Sequence, residues 1–145
     1  MKNDTSKVKE PLVSYGLPSF RNPAAMIGFI SGFNQVSPYL ELLKENTKAT
    51  DHTIAYWLNI NVKTYRGYRK SETILKPDIK EHLIMLVALM KHGVQVFGSS
   101  AAFGKWLHSE NFILGKKTPA DLLNTNSGVR MVDDRLSGIE YGDNA

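Results

Sequence analysis

The run Leu83, Ile84, Met85, Leu86, Val87, Ala88, Leu89, Met90 decides the fold. It lies in a stretch that opens on Pro77-Asp78, where proline is pre-set for a first helical position, and continues to about Phe97. Eight consecutive apolar residues leave a helix no polar face, so this helix must be surrounded, either by its own chain or by a second copy. The run is far short of the roughly 18 residues needed to cross a bilayer.

On its N-terminal side the chain reads as a series of shorter helices. Residues 1 to about 22 read as a poorly ordered arm, because Pro11, Gly16, Pro18 and Pro23 prevent a continuous helix. Ala24 to Phe33 is apolar, with Ile27 and Ile30 at helical spacing and Gly28 and Gly32 weakening the pattern. Ser37-Pro38 opens a helix, with the serine as its expected cap and Tyr39, Leu42 and Leu43 facing inward. Asp51 is expected to cap a short helix that buries Ile54, Ala55 and Leu58. After a turn at Asn59-Ile60-Asn61, the next helix runs from Val62 to about Lys70.

Beyond Phe97, Ser99-Ser100 reads as a cap and Ser100 to His108 as a helix. Thr118-Pro119-Ala120-Asp121 is a compact helix start with cap, proline and first-turn acid in order. Thr125 caps a last helix, expected over Asn126 to Ser137. Val129, Val132, Leu136 and Ile139 step along one of its faces, and Gly138 and Gly142 bring the chain out. No sustained period-two alternation suggests a strand. The fold class is therefore all-α.

At 145 residues and 42% hydrophobic the chain suits one compact domain, or two small helical ones sharing a core. It has no cysteine, which excludes disulfides, thiolate metal sites and thiol catalysis and fits a reducing compartment. The polar start Met1-Lys2-Asn3-Asp4 lacks the apolar stretch of a signal peptide, so a cytoplasmic location is expected and no membrane partner. Charge is unevenly spread: residues 51–98 carry +3 and residues 99–145 carry −1. Different partners are implied for the two ends.

The basic part supplies one constellation. In a helix-turn-helix a small residue stands where the helices cross, a residue tolerant of positive φ makes the turn, and an apolar residue anchors the second helix. Ala55, Asn59 and Tyr65 occupy those places. Asn61 can cap the second helix, Lys63 and Thr64 would lie nearest base edges, and Arg66, Arg69 and Lys70 would reach bases or phosphates of operator DNA. The plainer alternative is a basic, solvated helix on an ordinary bundle, and Gly67 in mid-helix counts against the helix itself.

The acidic end supplies the other. Asp133 to Ala145 holds four acids and one base. Glu140, Tyr141, Gly142, Asp143, Asn144 and Ala145 are too polar to pack as core, so they are either a frayed end or a peptide that docks elsewhere. Phe103 and Trp106, three apart on one helix, are either core or contact residues. Catalytic chemistry finds no support: His52, His82, His92 and His108 lack metal-ligand spacing and read as surface or helix-end residues. Asp133-Asp134 and Glu140 are candidate paired carboxylates, but adjacent residues on a helix diverge, so a shared substrate is not expected. No cofactor, metal or enzymatic activity is expected.

The motifs Trp106-Leu107, then Leu114-Gly115-Lys116-Lys117-Thr118-Pro119-Ala120-Asp121-Leu122-Leu123, then Ile139-Glu140-Tyr141-Gly142 resemble, in this order, those of the Xre-type (MbcA/ParS/Xre) antitoxins of bacterial RES-Xre toxin-antitoxin modules. The resemblance is specific over residues 100–142 and looser over 51–97. Lys116 stands where the family often has a second glycine, a change expected to affect only the loop.

The resemblance implies a Cro/cI-like helix-turn-helix domain for DNA binding and dimerisation over residues 23–97, and a small helical toxin-binding domain over 98–145. It also implies a homodimer, a NAD-consuming RES-domain toxin as partner, and toxin contacts from Leu114, Thr118 and residues 140–145. The competing reading is a stand-alone transcriptional regulator whose C-terminal part serves oligomerisation.

Overall fold

A computed structural model describes residues 22–32, 36–70 and 75–145. Residues 1–21, and with them nearly all of the expected arm, lie outside the described residues. Within them, seven α-helices follow in order: α1 (Pro23–Gly32), α2 (Ser37–Thr47), α3 (Asp51–Leu58), α4 (Val62–Lys70), α5 (Pro77–Phe97), α6 (Ser100–Leu107) and α7 (Asn126–Glu140). Short 3-10 turns at Phe112–Leu114 and Pro119–Leu122 join α6 to α7. No strand occurs among the described residues, and no single helix is long and apolar enough to cross a membrane.

The apolar run on α5 is buried throughout, and its own chain does the burying. Helices α1, α2, α3, α6 and α7 all pack against α5, so one hydrophobic cluster extends from Met26 to Leu136. At Gly98, φ is +84°, a left-handed value at which glycine is unstrained, and the chain turns by 110° into α6. The ring of Phe103 then lies where a side chain on Gly93 would stand. Phe97, Phe103 and Trp106 form an aromatic cluster with ring centroids 5.4 to 6.4 Å apart. Phe103 and Trp106 are thus core.

Helix starts differ from expectation in two places. Ser37 is the first helical residue rather than a cap, and its hydroxyl donates to Arg69 O at 3.1 Å. Thr50, not Asp51, caps α3 by accepting from Thr53 N, because its backbone is extended whereas Asp51 is already helical. Asp51 is thereby free to pair with cations.

The C-terminal part departs in detail as well. Thr118 and Asp121 form a full capping box, but the turn behind them is 3-10 and ends at Leu122. Helix α7 runs on through Gly138 to Glu140, and Val129, Val132 and Leu136 on its inner face are fully buried. His82 is buried rather than superficial: its Nε2–H donates to Leu123 O, and its Nδ1 lies 2.7 Å from the Asn126 side chain. A buried imidazole with both nitrogens engaged is an internal strut between α5 and the start of α7.

Candidate functional site

The basic constellation forms one edge of the bundle. Asn59, at φ +58°, adopts the left-handed conformation that the turn requires, and Asn61 caps α4 by accepting from Thr64 N at 2.8 Å. Tyr65 is fully buried, and burial pushes its hydroxyl pKa up to about 12. Anchored there, α4 presents Asn61, Lys63, Thr64, Arg66 and Lys70 outward.

The two arginines are engaged within the chain. Arg69 forks onto Glu41 Oε2 at 2.7 and 2.5 Å and stands 3.4 Å from Asp51 Oδ1. Its guanidinium also lies 5.9 Å from the centroid of the Tyr65 ring. Asp51 accepts from Lys44 at 2.6 Å and from Arg66 at 3.1 Å. These hydrogen bonds, Lys44's first and then Arg66's, hold its carboxyl below the usual range. The network ties α4 to α2 and α3, so Lys63, Thr64 and Lys70 are the outward groups of α4 for which no ion pair is seen among the described residues.

The same two-helix unit is fastened to the C-terminal part by three side-chain donors. Trp57 Nε1–H donates to Ala120 O at 2.8 Å, Tyr56 OH to Asp121 O at 3.1 Å, and Asn59 Nδ2–H to Asn124 O at 2.9 Å. A groove runs along this seam, lined by His52, Thr53, Tyr56, His108, Thr118, Ala120 and Asp121.

The acidic constellation is built around the end of α7. Gly142, at φ +112°, turns the chain back so that its N–H reaches Ile139 O and the Asp143 N–H reaches Gly138 O. These two bonds are those of a Schellman motif, which needs a residue at positive φ and favours glycine. Asp143 then meets Arg135 at 3.2 Å, the guanidinium of Arg135 also donates to Asn144 O, and Asn111 Nδ2–H donates to Ala145 O at 3.3 Å. Residues 142–145 are thus folded onto α7, with Tyr141 left 87% exposed.

Glu140 and Asp133 converge from α7 on His92 of α5, at 3.0 and 2.5 Å. Seven residues make two helical turns, so Asp133 and Glu140 return to one face of α7. His92 is half-buried in mid-helix rather than at a surface or helix end. Hydrogen bonds to Asp133 and then to Glu140 raise its pKa, against the opposing effect of burial.

Leu114 and Thr118 are both partly covered. Leu114 closes the 3-10 turn next to buried Asn111, and Thr118 is occupied in the capping box. Lys116 has φ +67°, a left-handed conformation that glycine suits better than lysine. No group of three or more potential metal ligands occurs among the described residues. His92, Asn111 and Arg135 carry no spacing signal, and only the folded chain brings them to residues 140–145.

Comparison with the curated proteins finds no match. Residues 92–142, from the last turns of α5 through α7 to Gly142, match the family model for the antitoxin Xre/MbcA/ParS C-terminal toxin-binding domain. Over these residues the chain is similar to the toxin-binding domain of Xre-type antitoxins.

Proposed function

We propose that this protein is an antitoxin that neutralises a NAD-consuming RES-domain toxin by occluding its active site, and that it represses its own operon as a DNA-bound homodimer. The observation that carries the reading is the coincidence of the toxin-binding family match with an exposed Tyr141 flanked by the part-exposed carboxylates of Glu140 and Asp143. A cavity that binds the phosphates of NAD is basic, and Glu140 and Asp143 offer it opposite charge. Tyrosine is a favoured anchor at such contacts.

The DNA-binding half of the proposal rests on α3, the turn at Asn59 and α4. A buried Tyr65 and a capped N-terminus hold α4 with Lys63, Thr64 and Lys70 turned outward, as a helix that enters a major groove requires. Division at residues 97 and 98 separates the two proposed roles, although both share α5 as core.

Co-expression with the product of the neighbouring reading frame tests the reading. Recovery of both proteins through a tag on one, with NAD consumption suppressed in the complex, is the expected result. Tyr141→Ala, at an exposed position outside the Arg135–Asp143 pair, is expected to weaken neutralisation more than folding. A neighbour that consumes NAD equally in the presence and absence of this chain would overturn the proposal.

A further inference from the structure

The large apolar side chains exposed among the described residues are Ile27, Tyr56, Ile113, Met131 and Tyr141. The last three all lie within residues 92–142, each close in sequence, or linked through one hydrogen-bonded neighbour, to the elements that hold the folded-back segment 142–145. Tyr141 stands at its root. Met131 lies one turn before Arg135 on the α7 stripe that the segment follows, and Ile113 is bonded through its N–H to Asn111, which also holds Ala145.

The segment itself is held firmly. The guanidinium of Arg135 is almost fully buried, and Asp143 is its ion-pair partner. Removing Asp143 would leave a buried charge uncompensated, which is strongly unfavourable. The Schellman bonds at Gly142 satisfy helix-end carbonyls that would otherwise lose their partners. Separation from α7 is therefore costly unless a partner supplies a carboxylate at the same place.

Resting on the toxin-binding reading above, we propose that the toxin-facing surface is a preformed knob. Residues 142–145 stay clasped to α7 while Tyr141, Ile113 and Met131 make its apolar contacts. The partner it fits is a protein cleft with an apolar rim and a basic centre. The apolar side chains match the rim, and Glu140 and Asp143, both still substantially exposed, match the centre.

The N–H groups of Gly142 and Asp143 are bonded to Ile139 O and Gly138 O, so their amide exchange reads the clasp without altering any residue of the contact. Exchange is measured in the free chain and in its complex with the product of the neighbouring reading frame, and binding is measured for the parent chain beside two apolar-contact variants. The expected result is protection of both amides in the complex as in the free chain, with Ile113→Asp and Met131→Asp each weakening binding about tenfold or more.

Two results overturn the proposal: loss of protection at both amides when the complex forms, or aspartate variants that bind like the parent. Thermal melting of each variant separates contact loss from unfolding. Amide exchange in the free chain gives a check without any partner: Gly142 and Asp143 are expected to exchange at least about tenfold more slowly than unstructured amides, and unprotected exchange overturns the clasp. If the parent chain itself fails to bind, the toxin-binding reading fails. If the parent binds and the two amides lose their protection in the complex, the clasp alone does.

Discussion

His92 Nδ1–H donates to Asp133 Oδ1 across 2.5 Å, fastening the latter part of α5 to α7. The raised pKa of His92 fixes the sign of a pH effect. A group held protonated by the fold stabilises it fully below its unfolded value, about 6.5, and loses that contribution as pH rises through the higher folded value. The melting temperature should therefore fall as pH climbs from about 6.5 through the alkaline side of neutrality, and His92→Gln should flatten that part of the profile. Thermal denaturation of both proteins across this range is the measurement. An unchanged slope would remove His92 from the account.

Asp51 works in the opposite sense. Its carboxyl is held below the usual range, so its contribution is present above about 3.9 and is lost as pH falls through the lower folded value. Asp51→Asn is expected to loosen α4 from α2 and α3 and to make the acid limb of the stability curve shallower.

Trp57→Phe keeps most of the apolar ring and removes the Nε1–H that reaches Ala120 O. Leaving that buried carbonyl with one partner fewer should cost about 1–3 kcal/mol in chemical denaturation. Tyr56→Phe, at a half-exposed position, should cost much less, because water can replace its bond to Asp121 O.

Lys116→Gly should stabilise the protein by about 1 kcal/mol, since a non-glycine residue at positive φ carries a strain of about that size. Gly128→Ala should do the reverse. A Cβ there would run into the Leu122 carbonyl, and overpacking of this kind costs about 1–3 kcal/mol. Equilibrium unfolding of the two variants gives opposite shifts if the turn and the helix start are as described.

On the proposed DNA-binding edge, the four basic residues of α4 would give a salt slope of roughly −3.6 per protomer if all met phosphates. With Arg66 and Arg69 paired to Asp51 and Glu41, contacts from Lys63 and Lys70 alone give about −1.8. Lys63→Ala and Lys70→Ala should each reduce the slope by about 0.9, whereas Arg69→Gln should act chiefly on stability.

Local chemistry was largely legible. Proline at first helical positions, Asn59 in its left-handed turn, the Thr118–Asp121 box and the Thr125 cap are set by neighbours in sequence, so their pattern is visible there. The two displaced helix starts show the limit: Ser37 and Asp51 are good caps by type, but each is already the first helical residue, and its side chain turns instead to Arg69 O or to Lys44 and Arg66. The His92 cluster, the Arg135 clasp and the Trp57 bond join residues 41, 8 and 63 positions apart. Spacing rules capture the short-range geometry of a helix or turn, and such pairings depend on how helices pack.

Because α5 lends one side to the helices before it and another to those after it, the molecule has a common spine rather than two separable lobes. A cut at the bend after Phe97 would strip either fragment of its oily lining and leave it prone to clumping. Any recombination that exchanged one terminus for a relative's would have to carry this spine along, so the two ends are constrained to change together.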